Sequence, residues 1–363
     1  MKKHATFGFK FVLLALLTVL AGCTTLGLSE DLPPEILYER GDDALADGNI
    51  DRAEAFFQTA IECYPDDPGG YIGMAELKKG LLDFTTAAEY YQQAIASDAI
   101  LADYKEEFES GGVWGSVWWD AAELLALIGE RAAGMQMLEQ AYALTGEESY
   151  LEQQVLDGRS LSLRGAWVNE LTALERYPHI ERLVLNTPNV TDYSPLHSLR
   201  NLKELAIING KSNDLTFLSN LEQLEHLHLE DCQGADLSPL SNLVQLRYLR
   251  LTNCHITDLQ PCAGLIMLEE LYVDGNQITD LQPCSGLKKL EILYIGDNPR
   301  LFSLAGLEGM EQLTILDLSR LPVESFAPLR NCPLQIVYAY GLSNTELNAL
   351  SDIVPNAVIY PRA

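Results

Sequence analysis

Leu271-Tyr-Val-Asp-Gly-Asn276-Gln-Ile-Thr-Asp280-Leu-Gln-Pro-Cys-Ser-Gly-Leu287-Lys-Lys-Leu290-Glu-Ile is a unit of 22 residues, and Leu293-Tyr-Ile295 begins the next in the same phase. Outward in both directions, the same spacing links Leu161/Leu163, Leu183/Leu185, Leu205/Ile207, Leu227/Leu229 and Leu249/Leu251 to Leu271/Val273 and Leu293/Ile295. Ile180, Leu202, Leu224, Leu246, Leu268 and Leu290 recur with them. One extra residue near Pro299 and Arg300 moves the next pair to Leu316/Leu318, and a degenerate unit follows around Leu334, Val337 and Ala339. A fixed period of this kind means stacked coils, because one unit cannot bury its apolar side alone. Within Leu-x-Leu the outer residues point one way and the middle residue the other, as in a strand.

These residues resemble the leucine-rich repeat in its 22-residue bacterial form, as found in internalins, over roughly residues 160–342. The resemblance implies an α/β solenoid with a parallel sheet on its concave side, and recognition of proteins or peptides. Asn276 and Asn298 fall where a buried amide can satisfy loop backbone groups, and Cys232 and Cys254 take that position in neighbouring coils. Solenoids need caps over their open ends. Leu156, Trp167, Leu171 and Leu174, with Leu151 and Val155, suit an N-terminal cap. At the other end Asn344-Thr-Glu-Leu347 begins a short helix with a good capping residue, and Val358-Ile-Tyr360 offers a final strand.

A second period, of 34, runs through the upstream region. Ala53, Phe57 and Ala60 are followed by Ala87, Tyr91 and Ala94, while Gly41 matches Ala75 and Leu37 matches Tyr71. A third unit shows at Trp118, Ala122, Leu125, Gly134, Leu138 and Ala141, after a 13-residue insertion around Tyr104 to Trp114. Small residues let paired helices approach, and an aromatic fills the space between pairs. The pattern resembles the tetratricopeptide repeat, with departures at Lys78 and Ala99.

The chain starts differently. Lys2, Lys3 and Lys10 precede an uninterrupted apolar run from Phe11 to Leu20, which is too short to span a bilayer and reads as a secretory signal. Leu20-Ala21-Gly22-Cys23 resembles the bacterial lipobox, which implies diacylglycerol attachment at Cys23 and cleavage before it. The absence of Asp at Thr24 resembles outer-membrane sorting if the cell is Gram-negative. Without residues 1–22 the formal charge falls from −28 to −31, since three lysines leave and 21 basic residues face 52 acidic ones. Such a chain is repelled by nucleic acid and by anionic lipid surfaces.

Chemistry-bearing residues divide into several sets. Asp192, Asp214, Asp236, Asp258 and Asp280 recur every 22 residues, where an Asp caps local amides; a calcium ladder is the sharper alternative, but one carboxylate per coil falls short of calcium's ligand number. Cys232 and Cys254, and Cys262 and Cys284, lie one period apart, open to burial as thiols or to disulfides. No phosphate loop, nucleophile elbow or HExxH argues for an enzyme or a cofactor. The middle strand positions carry His226, His228, Tyr248, Arg250, Tyr272, Tyr294 and Tyr338, with Glu270, Asp274, Asp297 and Asp317 beside them. Tyr and Arg concentrate at binding hot spots, although strand propensity also favours tyrosine.

The expected organisation is a signal peptide (1–22), a tether (23–33), helical repeats (34–146), an N-terminal cap (147–178), leucine-rich repeats (179–342) and a C-terminal cap (343–363). The expected product is a lipid-anchored, extracytoplasmic envelope protein, non-enzymatic, serving as a protein-interaction scaffold or adhesion module. Capture of polysaccharide on the tyrosines is the alternative.

Overall fold

The computed structural model of the protein describes residues 32–96, 113–145, 156–211, 214–232 and 236–361. The signal segment, Cys23, residues 104–112 of the insertion, and Leu151 and Val155 of the cap lie outside the described residues. The chain divides between Gly158 and Arg159 into two compact units.

The first unit is built from helices α1 (Pro34–Ala46), α2 (Ile50–Cys63), α3 (Pro68–Gly80), α4 (Phe84–Ala96), α5 (Val113–Leu127) and α6 (Arg131–Thr145), which pack as consecutive pairs. Proline opens α1 and α3, where its missing N–H is no loss. Asn49 caps α2 by accepting from the Arg52 amide, and Asp67 caps α3 by accepting from the Gly69 amide at 2.9 Å. The 34-residue register places equivalent side chains in equivalent surroundings. Ala53, Phe57, Ala60, Ala87, Tyr91 and Ala94 are all at most 1% exposed. A Cβ at Gly41 or at Gly73 would lie 2.3 Å from the Phe57 ring, so the two glycines let neighbouring helices close on it. Trp118, Ala122, Leu125 and Leu138 are buried in the third pair. Lys78, a departure from the sequence pattern, forms an ion pair with Glu54 at 2.6 Å.

The second unit is a ten-stranded parallel sheet whose strands follow one another in sequence order. They are β1 (Ser160–Arg164), β2 (Arg182–Asn186), β3 (Glu204–Ile208), β4 (His226–Glu230), β5 (Tyr248–Thr252), β6 (Glu270–Tyr272), β7 (Ile292–Tyr294), β8 (Ile315–Asp317), β9 (Ile336–Tyr338) and β10 (Val358–Tyr360). Leu161 pairs with Leu183, Leu183 with Leu205, Leu205 with Leu227 and Leu227 with Leu249. Both leucines of each motif are buried, as are Ile180, Leu202, Leu224, Leu246, Leu268 and Leu290. The extra residue near Pro299 pairs Leu293 with Leu316, 23 positions on, and the next coil is one residue short, pairing Leu316 with Val337. Residues 160–176, which also suit a cap by composition, supply a strand and a 3-10 turn like those of later coils; they follow the Leu161/Leu163 phase. Helix α7 (Asn344–Ile353) begins one residue earlier than Asn344 would dictate, because Ser343 and Glu346 form a reciprocal capping box.

Three recurrent devices hold the loops. The Asn276 amide oxygen accepts from the Cys254 and Ile256 amides at 3.0 Å each, while its nitrogen donates to Leu251, Val273 and Asp274 carbonyls. In the preceding coil Cys254 reaches the Leu229 and Thr252 carbonyls through its thiol, at 3.4 and 3.3 Å. At the same place after the strand the backbone turns left-handed at Gly165, Asn209, Asp231, Asn253, Gly275, Asp297, Arg320 and Gly341. Finally, Asp192, Asp214, Asp236, Asp258 and Asp280 each accept from the amide two residues on, at 2.8–2.9 Å. These are caps of the convex turns.

The hydrogen bonds at Asp192, Asp214 and Asp236 hold their carboxyls below the usual range. A folded-state value below the unfolded one stabilises at neutral pH, and that stability is lost as acid protonates the group. Replacing all three by Asn is therefore expected to lower the melting temperature at pH 7 and to leave it nearly unchanged at pH 2. An equal drop at both pH values would contradict the capping role.

Candidate functional site: the concave tyrosine ladder

Strand alternation fixes which side chains leave the core. With the Leu-x-Leu residues turned inward, the positions between and beside them line the opposite, concave face. Parallel register then stacks equivalent positions into columns, one residue per coil.

His226, His228, Tyr248, Arg250, Tyr272, Tyr294 and Tyr338, expected from their spacing to share one surface, all lie on the same face of the sheet. They form two columns. His226 pairs with Tyr248 in the first; His228, Arg250, Tyr272 and Tyr294 follow one another in the second. Asp317 comes next, then Tyr338, then Tyr360.

The rings form a continuous ladder across both columns. His226 stacks on Tyr248, with centroids 5.8 Å apart and planes 14° off parallel. Tyr248 meets Tyr272 at 5.3 Å, and Tyr272 meets Tyr294 at 4.9 Å. Tyr294 reaches Tyr338 at 5.8 Å although β8 lies between them, because the side chain there is only the short Asp317. Tyr338 then contacts Tyr340 at 6.0 Å and Tyr360 at 5.5 Å. Offset aromatic contacts at such distances add stability beyond the area they cover.

Tyr340 and Tyr360 were missed as site residues. The signal for Tyr360 was available, since it stands 22 positions after Tyr338.

The ladder is partly shielded from water, and its polar groups register that. Burial, with Glu270 accepting from the hydroxyl at 2.8 Å, raises the Tyr272 phenol above its usual range. Tyr294 is pushed up to about 12 by burial, with Tyr338 beside it. Burial also raises Asp274 and Asp317. His228 moves down because it is desolvated and faces Arg250, and its Nε2 stands 3.3 Å from Glu230. The Arg250 guanidinium lies 5.4 Å from the Tyr272 ring centroid.

Such an arrangement offers flat amphipathic area, hydroxyls and carboxylates to a ligand, held by a rigid sheet. It offers little to a metal: among the described residues no group of three His, Cys, Asp or Glu side chains is placed to hold one. Cys262 and Cys284 are buried as thiols, and burial pushes both up to about 12.

The architecture is that of helical repeats followed by a leucine-rich-repeat solenoid. Residues 201–331 match the family model for a leucine-rich repeat region. Among solved structures, an internalin from Listeria monocytogenes is similar at 24% identity and a TM-score of 0.47, over 60% of this chain and 73% of that one. An internalin C2 from the same organism is similar at 22% identity and a TM-score of 0.39, over 56% and 91% of the two chains. A leucine-rich-repeat protein of Leptospira interrogans is similar at 22% identity and a TM-score of 0.45, over 55% of this chain and 59% of that one. Comparison with curated protein sequences gave no match.

Proposed function

We propose that this protein is a lipid-anchored component of a bacterial cell envelope that binds protein partners through its concave tyrosine ladder. Leucine-rich-repeat domains generally mediate protein–protein interactions, and proteins of this class are typically non-enzymatic. The observation that supports the reading most is the ladder itself, which runs from His226 on β4 to Tyr360 on β10 without a gap between rings. Tyrosine covers much area at small entropic cost and keeps a hydroxyl for hydrogen bonding, so a half-buried surface row of it suits a protein interface.

The anchor in this proposal rests on Cys23 and the apolar run before it. Among the described residues no helix is long and apolar enough to cross a membrane. Growth with an alkyne-tagged fatty acid is expected to label the wild-type chain and not Cys23→Ala, which would leave the membrane fraction. Equal labelling of both would remove lipidation from the proposal.

Partner binding is tested by crosslinking pull-down from intact cells, comparing wild type with Tyr272→Ala/Tyr294→Ala, with folding checked by circular dichroism. Loss of a captured protein from the variant is the expected result. Equal recovery would move the interface to the helical repeats or the convex side. Retention on a polysaccharide column, lost in the variant and without any protein captured, would favour glycan binding instead.

A further inference from the structure

The second column of the concave face contains its own worked example of ligand chemistry. Arg250 on β5 places its guanidinium over the Tyr272 ring of β6. The same guanidinium donates to the Thr252 hydroxyl at 3.2 Å, which in turn reaches Asp274 at 3.4 Å. Cation, aromatic face and carboxylate are thus joined within two adjacent coils.

Two coils further on, the aromatic face and the carboxylate recur with no cation over the ring from the strands themselves. Tyr294 and Tyr338 flank Asp317, which lies in register with both. No lysine or arginine occurs in β6 to β10. The nearby Arg320 is taken up by Asp297, to which it donates twice at 2.6 Å. Asp317 uses one oxygen, Oδ1, to accept from the Ser319 amide at 2.9 Å and from the Ser319 hydroxyl. Its other oxygen, Oδ2, accepts no hydrogen bond among the described residues. That Oδ2 leans over Gly296, where a Cβ would sit only 2.7 Å from it. Gly296 therefore leaves room for the Asp317 carboxylate itself, which packs against the buried glycine backbone one coil back.

We propose that Tyr294, Asp317 and Tyr338 form a socket for a lysine or arginine side chain presented by a protein partner. The proposal rests on the concave-face reading above and adds the charge of the ligand. A cation over a tyrosine face is attracted by the ring quadrupole, and a half-buried carboxylate beside it supplies the opposite charge. Burial, with Asp274 and Asp297 nearby, raises the Asp317 carboxyl even though Arg320 feels its charge. An organic cation fits better than a divalent metal, because one available carboxylate oxygen cannot satisfy a hard ion.

The test uses the full chain with ring-labelled tyrosine and two probes, Nα-acetyl-arginine amide and its neutral isostere Nα-acetyl-citrulline amide. The arginine probe is expected to shift the Tyr294 and Tyr338 ring resonances saturably, the citrulline probe not at all. Asp317→Asn keeps the Oδ1 acceptor and is expected to weaken the arginine probe roughly tenfold. Glu324→Gln, an equal charge change at an exposed position outside the strands, is expected to leave binding unchanged. Equal shifts by both probes, or equal weakening by both variants, would overturn the socket. The pull-down separates this from the broader reading. If Tyr272→Ala/Tyr294→Ala loses the partner while Asp317→Asn keeps it, the concave interface stands and the socket fails. If neither variant loses it, the interface reading fails as well.

Discussion

Asn298→Ala is expected to destabilise the solenoid by about 4 kcal/mol, among the largest losses a single substitution can cause there. The residue is fully buried. Its oxygen accepts from the Ile278 amide at 3.0 Å, and its nitrogen donates to the Val273, Ile295 and Gly296 carbonyls at 3.0, 2.8 and 3.2 Å. Truncation strands the Ile278 amide and the Ile295 carbonyl, while the Val273 and Gly296 carbonyls keep Asn276 and the Gly275 amide, and each stranded buried group costs about 1–3 kcal/mol. Asn298→Cys is expected to cost about half as much, because Cys254 shows that a thiol at this position still reaches two carbonyls. Urea unfolding followed by circular dichroism measures both. A loss below about 1 kcal/mol for the alanine variant would mean the amide is not the loop's fastening.

Phe57→Ala is expected to cost the helical repeats about 3–5 kcal/mol. The ring is completely buried, and its closest boundaries are Gly41 and Gly73, which have no side chains to move into the space left. The cavity should therefore persist. The reverse insult is also informative: Gly41→Ala drives a methyl into the ring, where the Cβ would stand 2.3 Å from it. Phe57→Leu should relieve that clash, so the double variant is expected to be more stable than the sum of the single losses predicts. Simple additivity would show that the ring and the glycine do not share one space.

Much of the fold was legible because a repeat states the same physical requirement many times. Leu183 alone says little; Leu183, Leu205, Leu227 and Leu249 in one phase say that a strand buries that position in each coil, and it does. The helical unit was legible for the same reason, through Ala53, Phe57 and Ala60 and their copies. Local chemistry was harder. The cap falls on Ser343 and not on Asn344 because its partner, Glu346, decides which of two good capping residues is used. Arg320 takes a left-handed backbone at a position otherwise held by Asn, Asp or Gly, and only its bond to Asp297 marks it. The two-column form of the ladder follows from strand alternation and could have been read. The contact of Tyr294 with Tyr338 could not, since it depends on how far a short aspartate lets two rings lean toward each other.

The coil of 23 residues and the coil of 21 that follows it have a meaning beyond their own loops. Their deviations cancel, so the array is back in step after one excursion. Register here is restored at every turn by the rungs between strands, and a length error is confined to the connection where it arose. The solenoid thus behaves as a modular text in which letters can be gained or lost between words. Within Leu-x-Leu the same change would turn every later core residue of that strand outward. Natural variation in the length of this protein should accordingly gather in the convex connections, leaving the spacing of the tyrosines, and the ligand geometry they set, untouched.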